Sequence, residues 1–168
     1  MSIHDITFCV SYQGNPSLLG TYETPASAMA RGIGVVRSSD TIAKASVGIE
    51  PLGFLNSEVT TDGPSFEELT FIQNDNKIIH EKKVSEGVVQ LTNYEPGEFY
   101  VMSGNIKSGT TFAVDEYVYM AANGEFTDGA GASVGDEILG IVDAIDVTAL
   151  NMTDAVVWKA VKLGQKTS

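Results

Sequence analysis

Tyr117-Val-Tyr-Met120, continued by Ala-Ala-Asn-Gly-Glu and Phe126, lies without gaps on Ile33-Gly-Val-Val36, Arg-Ser-Ser-Asp-Thr and Ile42. Each copy reads as a strand, a polar turn and a return residue, because β-branched and aromatic residues suit a pleated, half-buried surface while Asn, Asp, Gly and Ser suit reversals. Further along, Pro51-Leu-Gly-Phe-Leu55 matches Ile138-Leu-Gly-Ile-Val142, an apolar-Gly-apolar core at the same place in both halves. Two related strand-turn-strand units are implied. Glycine inside a strand marks a bulge, a barrel corner or the close approach of another backbone. Gly53 and Gly140 therefore point to a small barrel or sandwich closed by two similar modules.

Working outward, period-two alternation recurs in short pieces bounded by Gly, Asn, Asp and Pro, the pattern of many short strands. Ile6, Phe8, Val10 and Tyr12 alternate with Thr7, Cys9 and Ser11, so the first strand has one apolar face and Cys9 lies on the polar one. Further strands are expected over Ile33 to Val36, Leu52 to Leu55, Leu69 to Ile72, Val88 to Thr92, Phe99 to Met102, Glu116 to Ala121, Ile138 to Val147 and Val156 to Leu163. Helical periodicity is scarce. Thr24-Pro25 reads as an N-cap with Pro at the first helical position, and Ser65-Phe-Glu-Glu68 matches a capping box. Gly32 and Asn74-Asp-Asn76 stop both early, so at most one or two short helices are expected, with a plain loop equally acceptable at each. The expected fold class is all-β, a small β-barrel or β-sandwich. With 168 residues the chain has room for one domain with its own core. Residues 24–168 are read as that domain, and 1–23 as an N-terminal arm with one strand, set off by Gln13-Gly-Asn-Pro16.

Acidic residues outnumber basic ones, 22 against 10, for a formal net charge of -12. Such a field repels phosphate backbones and anionic lipid surfaces, and the few cations are scattered, so neither nucleic acid nor membrane is expected as a partner. The single cysteine, Cys9, makes no internal disulfide and completes no Cys/His metal spacing. Residues 1–5 show no basic segment leading into an apolar run, and no apolar run reaches the roughly eighteen residues that cross a bilayer. A reducing compartment is expected.

Candidate chemistry is sparse. Asp128-Gly-Ala-Gly-Ala-Ser-Val-Gly135 approaches a GxGxxG phosphate loop, but Val134 stands where the last Gly is needed and a strand follows in place of a helix; a hairpin loop is the expectation. Asp115, Glu116, Asp128, Asp136, Glu137, Asp143, Asp146 and Asp154 crowd the C-terminal half without calcium-loop order and without a substrate-stacking aromatic set beside any pair. Solvated turns account for them. His4 and His80 sit in polar surroundings, no GxSxG occurs, and Cys9 reads as a packed or interface thiol. No catalytic residue, metal or cofactor is expected. Tyr94, Phe99, Tyr100, Tyr117, Tyr119 and Trp158 offer a sugar-stacking platform as the main ligand-binding alternative. In Tyr117-Val-Tyr119 the two rings share one face by alternation, and core packing or a subunit contact is the competing use.

Ala30-Arg-Gly-Ile-Gly-Val-Val36, the following polar turn, Ile42-Ala-Lys-Ala45 and Leu52-Gly-Phe-Leu55 resemble the opening of tailed-bacteriophage capsid decoration (cement, head-stabilising) proteins. Val114-Asp-Glu-Tyr-Val-Tyr119, Asn123-Gly-Glu-Phe-Thr127 and Ile138-Leu-Gly-Ile-Val142 are similar to that family's strand, turn and return. The likeness runs from about Ala26 to Leu163. Ile33-Gly34 stands where an acidic turn residue is usual after Gly32, and the stretch from Thr60 to Gly104 exceeds the family's compact core. The resemblance implies a β-tulip-like body, a homotrimer, on the outside of an icosahedral head, made in the host bacterial cytoplasm and bridging neighbouring copies of the major capsid protein. It implies interfaces in place of an active site. The residues assigned to them are Ile6, Phe8, Val10 and Tyr12 on the arm, read as a clamp that adds to a neighbour's sheet, and Tyr117 and Tyr119. Rival readings are another virion component (tail, fibre or head completion), a carbohydrate- or ligand-binding β-sandwich, and a hydrolase built on a carboxylate pair.

Overall fold

The computed structural model describes residues 8–12, 18–62, 81–97, 99–149 and 152–168. Among these the chain forms β1 (Phe8–Tyr12), β2 (Leu18–Glu23), β3 (Gly34–Ser38), β4 (Thr41–Lys44), β5 (Gly53–Leu55), β6 (Glu58–Thr60), β7 (Glu81–Lys83), β8 (Val88–Asn93), β9 (Phe99–Ser103), β10 (Tyr117–Met120), β11 (Phe126–Thr127), β12 (Ile138–Ala149) and β13 (Met152–Ala160). A one-turn 3-10 helix, Ala122–Gly124, joins β10 to β11. The fold is all-β. Strands β2-β4-β3-β5-β8 close into a barrel, β1-β9-β13-β12-β10-β11 make a six-stranded sheet, and β6 pairs with β7.

The duplication is present in the hydrogen-bond ladders. In the first unit β3 lies between β4 and β5, with Gly34 opposite Phe54, Val35 opposite Gly53, and Arg37 opposite Ile42. In the second, β10 lies between β11 and β12, with Tyr117 opposite Ile141, Val118 opposite Gly140, and Met120 opposite Phe126. The ladders thus match Val118 to Val35, one residue away from the ungapped sequence alignment, which set Val118 on Gly34. Val35 and Val118 are both fully buried. The extra residue lies in the turn, where five residues separate Met120 from its partner Phe126 and four separate Arg37 from Ile42; a separate bulge interrupts the β10–β12 ladder between Val118 and Tyr119, with Leu139 as the additional residue. Gly140 fills the close-approach role expected of it: a Cβ there would strike the Lys159 carbonyl oxygen and come within 2.6 Å of Trp158 Cε3.

Two apolar clusters meet at β5. Leu55 points into the barrel among Met29, Ile33, Val35, Ile42, Val59, Val89 and Leu91. Its neighbour Phe54 points the opposite way, as strand geometry requires, into the cluster that the barrel shares with the sheet. There Phe54 meets Trp158 edge-on at 6.1 Å, Phe126 at 6.0 Å and Tyr94 edge-on at 6.1 Å, while Phe126 and Trp158 meet at 5.3 Å. Val156, Trp158 and Ala160 supply the inner face of β13 at period two. Barrel and sheet are therefore joined by one aromatic cluster drawn from both units.

Several expectations need revision. The segment 1–23, expected as an arm with one strand, carries two, and β2 belongs to the barrel, paired along its length with β8. No helix follows Thr24-Pro25. That stretch is held extended by backbone bonds, Thr24 N to Gly87 O, Ser85 N to Pro25 O, and a reciprocal pair between Met29 and Val59, which outweigh a local capping preference. The last strand runs from Met152 to Ala160, where Val156 to Leu163 was expected, and β12 continues to Ala149. Strands β2, β6 and β7 were not anticipated, while β4 and β11 are the return strands expected at Ile42 and Phe126. Leu69 to Ile72, Ser65 to Glu68 and Gln13 to Pro16 lie outside the described residues.

Truncating Phe54 removes the ring that touches both units. Phe54→Ala should lower stability by about 3–5 kcal/mol, a fall in Tm of roughly 6–20 °C, whereas Val114→Ala at an exposed position should stay within about 0.5 kcal/mol. Comparable losses for the two variants in urea unfolding would contradict this packing.

Candidate interaction surface

The residues assigned to interfaces are distributed over three environments. Ile6 lies outside the described residues. Phe8, Val10 and Tyr12 occupy alternate positions of β1, opposite Ser103, Val101 and Phe99 of β9. Among the described residues β1 is the outermost strand of its sheet, with one side of its ladder turned away from β9. Tyr117 is exposed, but Tyr119 is only 2% exposed. Val118, Tyr119 and Met120 are all buried, so β10 is covered on both faces there, the two rings do not share an exposed surface, and Tyr119 belongs to the core.

The aromatic platform does not assemble. Trp158 and Tyr94 are buried, and Tyr100 is half-buried with the Lys159 ammonium 5.9 Å above its ring. Three acids of the C-terminal half serve turns. Glu116 accepts from Ala113 N, Asp128 from Gly131 N and Asp136 from Ser133 N. Among the described residues no three His, Cys, Asp or Glu side chains are grouped to hold a metal ion. The glycine-rich stretch is a loop, with Lys166 Nζ donating to Gly129 O and Ala132 O, and it leads into β12. An open hollow of about 540 Å³ lies at one end of the barrel beside Glu23, Thr24, Thr41 and Val88; Thr41 Oγ1 there donates to Glu23 O.

A second depression, of about 520 Å³, lies where two turns and the C-terminal segment meet. The turns carry a longer repeat than strand patterning revealed. Ala45-Ser-Val-Gly-Ile-Glu-Pro-Leu-Gly-Phe-Leu55 and Ala132-Ser-Val-Gly-Asp-Glu-Ile-Leu-Gly-Ile-Val142 agree at seven of eleven positions. Gly48 and Gly135 close them with φ of 73° and 96°, a conformation glycine adopts without steric cost. Gly48 O accepts from Glu137 N, Gly135 N donates to Lys166 O, and Ile138 N donates to Gly164 O, so the three segments form one backbone-bonded surface. Lys162 Nζ pairs with Glu50 at 2.8 Å, and Gln165 Nε2 donates to Glu137 Oε1 at 2.8 Å. The Glu50 partner raises the Lys162 pKa above its ordinary value, although an ion pair this exposed adds little to stability.

No family model matches the chain, and no curated protein matches it. Of this surface, sequence reasoning singled out only Gly135, Asp136 and Glu137, as loop and turn residues. The signal for Gly48 and Glu50 was present in the longer repeat. For Lys162 and Gln165 there was none, because only the fold returns the C-terminal segment to the turns.

Tyr94 lies beneath this region, its hydroxyl donating to Leu139 O at 2.7 Å. Burial first, then the charges of Glu50 and Glu137, push its pKa well above the ordinary 10.0. A group whose proton is held more tightly in the folded state contributes stability that is complete below its unfolded pKa and is lost as pH rises through the folded one. Stability should therefore fall above about pH 10. Tyr94→Phe, at a cost of about 0.5–1.5 kcal/mol for the lost bond, should flatten that slope when urea midpoints at about pH 8 and about pH 11 are compared. Equal slopes for the two proteins would contradict the assignment.

Proposed function

We propose that this chain is a viral structural protein, a capsid decoration protein that binds the outside of an icosahedral phage head and stabilises it by bridging neighbouring major capsid subunits. The observation that carries the reading is the paired module: two copies of one β-unit share a single aromatic core and bring the same turn to the surface twice. A body of this kind is suited to adhesion, with surface strands and turns as its working parts. The likeness of both units to decoration proteins points the same way, and the charge of -12 suits a protein that keeps clear of packaged DNA. Burial of Trp158 and Tyr94 weighs against the sugar-binding alternative.

The physical mechanism is linkage. A protein that binds only the assembled, expanded shell stabilises that shell in proportion to its occupancy and affinity. The free side of β1 is the first candidate for strand addition to a shell subunit. A chain beginning at Leu18 keeps every barrel strand and loses β1.

Purified protein mixed with undecorated, expanded heads should label the shell exterior in negative-stain images and raise the temperature at which the heads rupture. Removal of residues 1–17 should weaken that labelling by about tenfold or more, a loss of roughly 1.4 kcal/mol, while unfolding stays cooperative. Labelling of tails or fibres would move the chain to another virion component. No binding to any particle would overturn the proposal, and undiminished labelling without β1 would remove the arm from it.

A further inference from the structure

Seven large apolar side chains stand exposed among the described residues, and four of them, Val47, Ile49, Val134 and Leu163, lie on the three segments around the twin-turn depression. Val47 and Val134 occupy the same position in the two turns and are 51% and 69% exposed. A turn gains nothing in folding from an exposed valine, since turn positions favour polar residues and glycine. Ile49 lines the depression, and exposed apolar groups on the segments that flank it mark a contact surface.

The charges beneath them select the partner. Among the described residues Asp136 and Glu137 accept hydrogen bonds from the neutral donors Ser133 N and Gln165 Nε2 and from no cation. Glu50 is neutralised only by Lys162, an exposed side chain. After burial, Glu50 and Glu137 raise the pKa of Tyr94, and after burial and Tyr117, Asp136 raises that of Tyr119, so their negative field reaches into the protein. A second copy of this chain would bring the same acids and another charge of -12 against this face, and like charges so placed repel.

We propose that the twin-turn depression is a docking site for a partner-protein segment in which cationic side chains alternate with aliphatic ones. It rests on the adhesive reading above only in taking the partner to be a protein. The aliphatic side chains pack against Val47, Ile49, Val134 and Leu163, and the cations meet Asp136, Glu137 and Glu50. Lys162 is the chain's own occupant of the acidic floor and competes with the partner's ammonium groups for Glu50.

Amide NMR spectra of the full chain, titrated with a short peptide of alternating Lys and Leu and with its counterpart of alternating Glu and Leu, test this directly. The Lys peptide should give saturable shifts centred on Gly48, Gly135 and Gln165, weakening as salt rises, and the Glu peptide none. Val47→Ser with Val134→Ser should weaken binding at least tenfold with the fold intact, and Lys162→Ala should tighten it severalfold. Shifts spread evenly over the acidic surface, unchanged binding by the double Ser variant, or weaker binding by Lys162→Ala would overturn the proposal. The peptides involve no phage particle, so failure of head binding leaves this result standing. Heads decorated equally by wild type and the double Ser variant would exclude this face as their contact while keeping the decoration reading.

Discussion

The structure depends on the side chain of Phe54. Its strand gives Leu55 to the barrel interior and Phe54 to the opposite side, where the ring meets Trp158, Phe126 and Tyr94. Without that contact the closed barrel and the six-stranded sheet would each present an apolar face to water. Aromatic pairs in edge-on geometry add about 0.5–1.5 kcal/mol beyond their area, and this cluster holds four rings. Trp158 Nε1 is buried there with no hydrogen-bond partner among the described residues, an unfavourable term that the surrounding packing offsets.

The junction also positions the surface. Because β5 and β12 are equivalent strands, each opposite the same buried valine through a glycine, the turns that precede them are equivalent too. Packing the units together brings Gly48 against the Asp136 side chain and aligns both turns with the segment after β13. The surrounding surface differs between the copies. The first turn abuts the second unit, with Gly48 N donating to Met120 O, while the second abuts the C-terminal segment through Gly135 N and Lys166 O. A duplicated sequence has thus produced one composite depression with unlike walls.

Much of this was legible in the sequence, for identifiable reasons. Strands with β-branched or aromatic alternation, such as Val88 to Thr92 and Ile138 to Val147, were read close to their observed limits, and the two units were found from a few shared residues. Among the strands that escaped, Glu58-Val-Thr60 and Glu81-Lys-Lys83 are short and largely polar, hold their conformation by pairing with each other and carry almost no pattern of their own. The one-residue slip between units came from the longer turn after β10, which an ungapped alignment hides, and Tyr119 was misplaced because β10 is covered on both faces at that point. The candidate surface was half legible. Its turns repeat in the sequence, whereas Lys162 and Gln165 reach them only through the return of the chain after β13.

The claim beneath all of this is that both β-units form a single cooperative body through the aromatic junction. The one tryptophan of the chain, Trp158, lies in that junction, so its fluorescence reports the interface while far-UV circular dichroism reports strands throughout. Followed together through urea unfolding, the two signals should trace one coincident transition, with Trp158 shielded until the strands are lost. Exposure of Trp158 at a lower urea concentration than the loss of strand signal would show units that fold independently, and would contradict the account.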